Sequence, residues 1–77
     1  MIRFYFHRHL NGQMATDRKG VLLDDRGSAC AYAVRHMPGA LRQALRQQRA
    51  DVHAATEISD GTRTLYIIRG KIIVERS

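Results

Sequence analysis

The chain has 77 residues, 44% of them hydrophobic, and a formal net charge of +6, a balance that excludes disorder and low complexity and leaves room for one small domain over 1–77. The single cysteine, Cys30, excludes an intrachain disulfide, and no Cys/His spacing of a structural zinc motif and no apolar run of membrane-spanning length occurs in the sequence. Thirteen cations, eleven of them arginine, against seven carboxylates direct the expected partners toward nucleic acid, an acidic protein or a membrane surface.

Ile2, Phe4 and Phe6 alternate with Arg3, Tyr5 and His7. That period of two predicts a half-buried strand, and it reads as a strand rather than a signal peptide, so the expected location is the cytoplasm. Asn11-Gly12 predicts a hairpin turn, with Gln13 to Thr16 returning antiparallel. A second turn at Asp17-Arg18-Lys19-Gly20 leads into Val21-Leu22-Leu23, a short run suited to an edge strand or to plugging the end of the core.

Asp24, Asp25 and Ser28 are all competent N-caps, so a helix is expected to start within this window and run to about Gln48. Alanines, Cys30, Val34, Met37, Leu41 and Leu45 recur at three and four on one face. Pro38-Gly39 interrupts the segment and predicts a kink or two short helices, because proline lacks an N–H and its ring collides with the carbonyl of Val34. Val52, Ala54, Thr56 and Ile58 then alternate with His53, Ala55 and Glu57. Asp60-Gly61 predicts a second hairpin, with Thr62 to Ile68 running back. Arg69-Gly70-Lys71 separates that run from Ile72-Ile73-Val74, which predicts either another tight hairpin or a last strand that pairs elsewhere, with Arg69 and Lys71 discouraging open-ended strand addition.

The expected fold is therefore α+β: a small antiparallel sheet of four or five strands in the order β-β-α-β-β, with one helix packed on one face. The expected core is Ile2, Phe4, Phe6, Leu22, Val34 and Met37, together with Leu41, Leu45, Ile58, Leu65 and Ile67. A chain this short buries only about 60% of the surface its unfolded state exposes, so self-association is an expected route to stability.

Arg3-Phe4-Tyr5-Phe6-His7, the Asp17 to Gly20 D-x-x-G turn, the alanine-rich helix and Ile58 before Asp60-Gly61 together resemble a family of short proteins, a domain of unknown function, from root-nodulating and related alphaproteobacteria. The likeness spans about residues 2 to 68. It implies a β-hairpin, a helix and a second hairpin, and it implies no activity. Pro38-Gly39 and the tail from Lys71 to Ser77 depart from that pattern.

Arg35, Arg42, Arg46 and Arg49 form one stripe when residues advance by about 100° along a helix, and no Asp or Glu lies between Arg26 and Asp51 to neutralise it. Such a stripe is either a solvated face that complements the helix C-terminus or a contact for phosphates or acidic partners. Tyr5, beside Arg3 and His7 on the polar side of the first strand, is the candidate stacking residue, whereas Phe4 and Phe6 belong to the core. His7, His9 and His53 do not make a convincing metal set, Cys30 reads as a small core side chain, and Asp24-Asp25 suit helix initiation rather than acid/base work. No metal, cofactor, catalytic residue or small-molecule substrate is expected. The sequence points to a noncatalytic module with a basic helix face for a nucleic-acid backbone. The alternative is a homodimeric or antitoxin-like protein-interaction module using the C-terminal strand and the same stripe.

Overall fold

The computed structural model describes residues 1–48 and 51–75. Its elements are β1 (Ile2–Leu10), β2 (Gln13–Ala15), β3 (Val21–Leu23), α1 (Arg26–Gln48), β4 (Val52–Ser59) and β5 (Thr64–Ile72). The strands form one open antiparallel sheet in the order β2-β1-β4-β5, with β3 also paired to β1, and the helix packs on one face. This is the expected α+β fold.

The first hairpin closes at Asn11 and Gly12 with φ of 48° and 85°, the pair of positive values that a type I′ turn needs. Asn11 also ties the turn to β4, because its Oδ1 accepts the His53 N–H at 2.8 Å and its own N–H donates to the His53 carbonyl at 2.9 Å.

β2 and β3 are two pieces of one return path along a single edge of β1. Arg8 faces Ala15 in β2, but Phe4 faces Val21 in β3 where an unbroken ladder would bring Lys19. The two additional residues are looped out at the Asp17 to Gly20 turn. Val21–Leu23 is thus an edge strand rather than a plug.

The helix begins where the caps predicted. Asp25 Oδ1 accepts the Ser28 N–H at 2.8 Å and the Asp25 carbonyl takes the Ala29 N–H at 3.2 Å. Pro38 does not split the helix, which is assigned without interruption from Arg26 to Gln48. Ala29, Ala33, Met37 and Ala44 stay on the buried side through the proline, so the apolar register holds its phase.

β5 corrects the expectation at the C-terminus. Gly70 is not a separator: the strand runs through it to Ile72, and Gly70 faces Ala54 while Ile72 faces Val52. A Cβ on Gly70 would lie 2.5 Å from Met37 Sδ and 3.2 Å from Leu41 Cδ1, so the glycine is where the helix comes down on the sheet. A register shift between Ile58 and Ser59 lets Leu65 join the core around Phe4, Phe6 and Ile58.

The core is smaller-chained than expected. Phe4, Phe6, Met37 and Ile58 are buried as expected, with Leu41, Leu45 and Leu65 partly so, but Ile2, Leu22, Val34 and Ile67 are each 46–56% exposed. Ile2 lies on the short β1–β3 edge, beyond the cover of the helix; Leu22, paired with Arg3, and Ile67, paired with Glu57, point to the bare face; Val34 flanks the contact line of α1 rather than lying on it. The positions they were expected to hold go to Ala29, Ala33, Ala44 and Val52.

Candidate functional site

The arginines come from the face of α1 opposite the buried alanines. Arg35, Arg42 and Arg46 are all exposed, and the continuous helix keeps them within about 40° of one another around its axis. Arg42 and Arg46 border a shallow depression of about 290 Å³ together with Gly39 and Gln43. The ion pair found among the described residues joins His9 to Glu57 on the other side of the sheet, so none of these three guanidinium groups is neutralised by a described carboxylate. Arg35 Cζ lies 5.8 Å from the Tyr32 ring centroid, a cation–π contact. Tyr32 in turn sits 4.7 Å from Phe6 and 4.2 Å from His36, centroid to centroid, which connects the stripe to the core. Arg49 lies outside the described residues.

The opposite face of the sheet carries Tyr5, His7, His9, His53 and Glu57. Tyr5 is half-buried, and its ring lies beside Gly61, where an added Cβ would be 3.3 Å from Tyr5 Cε2. His9 Nε2 is 3.5 Å from Glu57 Oε2 but makes no hydrogen bond there. No group of three or more metal-ligating side chains forms among the described residues.

Sequence reading missed the role of the D-x-x-G turn, where Asp17 takes part in four side-chain–backbone hydrogen bonds among the described residues. Asp17 Oδ2 accepts the Phe6 N–H at 3.1 Å, and Oδ1 accepts the N–H groups of Lys19 and Gly20, both at 3.0 Å. The Asp17 N–H donates to His7 Nδ1 at 3.1 Å. Burial alone would raise the Asp17 carboxyl, but the Gly20, Phe6 and Lys19 donors outweigh it and hold the group below its ordinary value. Gly20 has φ of 72°, and a Cβ there would lie 2.8 Å from Arg3 Cγ and 2.9 Å from the Phe4 carbonyl. The turn therefore requires both residues: the carboxylate to satisfy the interrupted ladder, the glycine to pass close to β1.

A third feature lies between α1 and the β1–β2 side of the sheet. The helix crosses β4 and β5 and stands away from β1, leaving a groove of about 880 Å³.

These elements define a small open-faced α+β domain, one helix on an antiparallel sheet, whose first return strand is broken by an aspartate-held turn. Residues 3–69 match the family described as "Domain of unknown function (DUF6894)", and the chain belongs to that family. No curated protein and no solved structure matches the chain. No helix among the described residues is long and apolar enough to cross a membrane.

Proposed function

We propose that this chain is a noncatalytic binding module that holds a nucleic-acid backbone against the exposed face of α1, in the cytoplasm. The observation that carries the reading is the set Arg35, Arg42 and Arg46: exposed, in phase along one uninterrupted helix, and without a described carboxylate in ion-pair range. Arginine charge that no acid neutralises is free to displace the counterions condensed on phosphates, which is the source of sequence-independent affinity.

The test is binding of labelled single-stranded and duplex DNA and RNA as salt is raised. A steep fall in affinity is expected, and Arg42→Ala or Arg46→Ala should weaken all sequences alike and lower the slope of log affinity against log salt by about 1 each. Undetectable or salt-insensitive binding at low ionic strength removes the proposal.

A second reading, a homodimeric or antitoxin-like interaction module, is favoured by the β5 side of the molecule. β5 is an edge strand of the described sheet, and Ile67, Ile73 and Val74 are exposed on and after it. Strand addition there would join two copies or an acidic partner. A monomeric mass at high micromolar concentration removes the homodimer.

A further inference from the structure

We infer that β5 is the interface of a two-fold dimer, paired antiparallel with β5 of a second copy about an axis at Ile68. The inference rests on the homodimer reading above and gives it a register and a second contact, between the helices. β5 is an outer strand of the described sheet. Beyond Ile72 the chain stays on the β4 side, where the Val74 N–H donates to Asp51 Oδ1 at 2.9 Å, so it leaves the outer edge of β5 uncovered.

That edge is self-complementary. A two-fold axis perpendicular to the sheet pairs one residue of β5 with its own copy, and the choice of that residue fixes every other pair. Centred on Ile68, the middle of Thr64–Ile72, all nine residues of the strand are paired. Arg69 then stands opposite Ile67 of the second copy, and Tyr66 opposite Gly70. Opposite a glycine the Tyr66 ring meets no cross-strand side chain and packs toward Met37 and Leu41, which cover Gly70. A centre at Arg69 would oppose two guanidinium groups, and one at Gly70 would oppose Arg69 to Lys71, both unfavourable. A centre at Ile67 pairs only residues 64–70.

The same operation brings the helices together. α1 lies across β4 and β5, so its axis stands about half a strand spacing inside the edge, and two copies joined at β5 hold their helices about two spacings apart, roughly 10 Å. Packed helices are spaced about 8–10 Å. Val34, 56% exposed, lies within about 20° of Leu41 around the helix axis. Leu41 reaches Gly70 in β5, which puts Val34 on the flank that meets the second helix. Tyr66 and Ile67 are exposed on the strand itself. A second copy covers all three side chains, whereas an acidic strand added to the edge would leave Val34 bare. Each copy has one β5 edge, so the assembly closes at two. Arg35, Arg42 and Arg46 remain exposed on the far side of both helices, and nucleic-acid binding stands or falls separately.

Sedimentation equilibrium of the full chain at high micromolar concentration should give a dimer. Val34→Lys and Tyr66→Lys, at positions exposed in the single chain, should each weaken it roughly tenfold or more. Met14→Lys, 60% exposed on the opposite outer strand β2, should leave the mass unchanged. Cross-linking reads the register. Ile67→Cys and Arg69→Cys chains, mixed and oxidised, should join through a disulfide between positions 67 and 69, identified by peptide mass spectrometry, because directly opposed Cα atoms lie about 4.5–5.5 Å apart. Neither variant should join to itself, since its two copies of the position are displaced by about two residues and lie about 8 Å apart. A monomeric mass would remove the homodimer reading and this inference together. A dimer in which either variant joins to itself instead, or which Met14→Lys breaks while Val34→Lys and Tyr66→Lys do not, would overturn this inference and leave the homodimer standing.

Discussion

The backbone N–H of Asp17 donates to Nδ1 of His7 at 3.1 Å, across the point where the ladder along that edge of β1 is broken. The next N–H on β1, that of Phe6, is taken by the Asp17 carboxylate at 3.1 Å. Phe6 and His7 on β1 and the single residue Asp17 on the return path thus replace with side-chain bonds the backbone pairing lost when two residues were looped out. Asparagine at position 17 would keep one oxygen for Lys19 and Gly20 but turn an amide donor toward a backbone donor. Asp17→Asn and Asp17→Ala are both expected to lose about 1–3 kcal/mol in denaturant unfolding. The same geometry places the His7 ring proton on Nε2, which long-range ¹H–¹⁵N spectra read directly. A cost below about 0.5 kcal/mol for Asp17→Asn would show that the turn is held by something other than its carboxylate.

Acid should undo this turn, the helix cap at Asp25 and the turn at Asp60. Asp17 is lowered although burial opposes it, because Gly20, Phe6 and Lys19 donate to it. Asp25 is lowered by the Ser28 backbone N–H and then by the Ser28 side chain, and Asp60 by the N–H groups of Arg63 and Thr62. A folded value below the unfolded one means that the unfolded chain binds the proton more readily. The stabilisation is therefore complete above the ordinary aspartate value of 3.8 and drains away as pH falls through it and past the folded values. Thermal melting followed downward from neutral pH should hold nearly level and then drop below about pH 4. Asp17→Asn should drop less steeply. A Tm that does not change through the acid range would contradict all three assignments.

Gly70 is where the helix and the sheet edge test each other. With Met37 Sδ at 2.5 Å and Leu41 Cδ1 at 3.2 Å from an ideal Cβ, Gly70→Ala forces the helix or its side chains outward and is expected to cost about 1–3 kcal/mol. Met37→Ala opens a cavity of its own in the native background, but in the Gly70→Ala background it should cost less, since the added methyl occupies part of the space. A double-mutant cycle measures that coupling. A neutral Gly70→Ala would mean that α1 stands further from β5 than it does here.

The same glycine shows why part of the fold could be read from sequence and part could not. Asn11-Gly12, Asp25 and the Ile2-Phe4-Phe6 alternation act through neighbours in the chain, so the first hairpin, the helix start and the long first strand were legible. Gly70 between Arg69 and Lys71 looks locally like a turn, and only the approach of Met37 from a distant helix makes it the middle of a strand. Val34 and Leu22 have the hydrophobicity of core residues. What decides the exposure of Val34 is that a helix set directly on a sheet rewards small residues along its contact line, and Ala29, Ala33 and Ala44 supply them; Leu22 is exposed because its register opposite Arg3 turns it to the bare face. The arginine stripe was legible because helical phase survives Pro38. The place of β5 at the edge was not, since it depends on the order of the strands in the sheet.

Pro38 and Gly39 give a final test of helix continuity. Pro38 brings no N–H to the Val34 carbonyl, and a proline inside a helix ordinarily costs about 3 kcal/mol, yet the segment is assigned as helix on both sides of it. Gly39 adds backbone freedom at the next position without a packing reason, because a Cβ there would meet nothing within 4 Å. Gly39→Ala should therefore raise stability by about 0.5–1 kcal/mol, acting mostly by narrowing the unfolded ensemble. Since the charges flanking the adjoining depression are untouched, the salt slope of nucleic-acid binding should not move. If Gly39→Ala instead destabilises the protein, the chain bends at this pair in solution, Arg35 leaves the phase of Arg42 and Arg46, and the stripe shortens to the C-terminal half of α1.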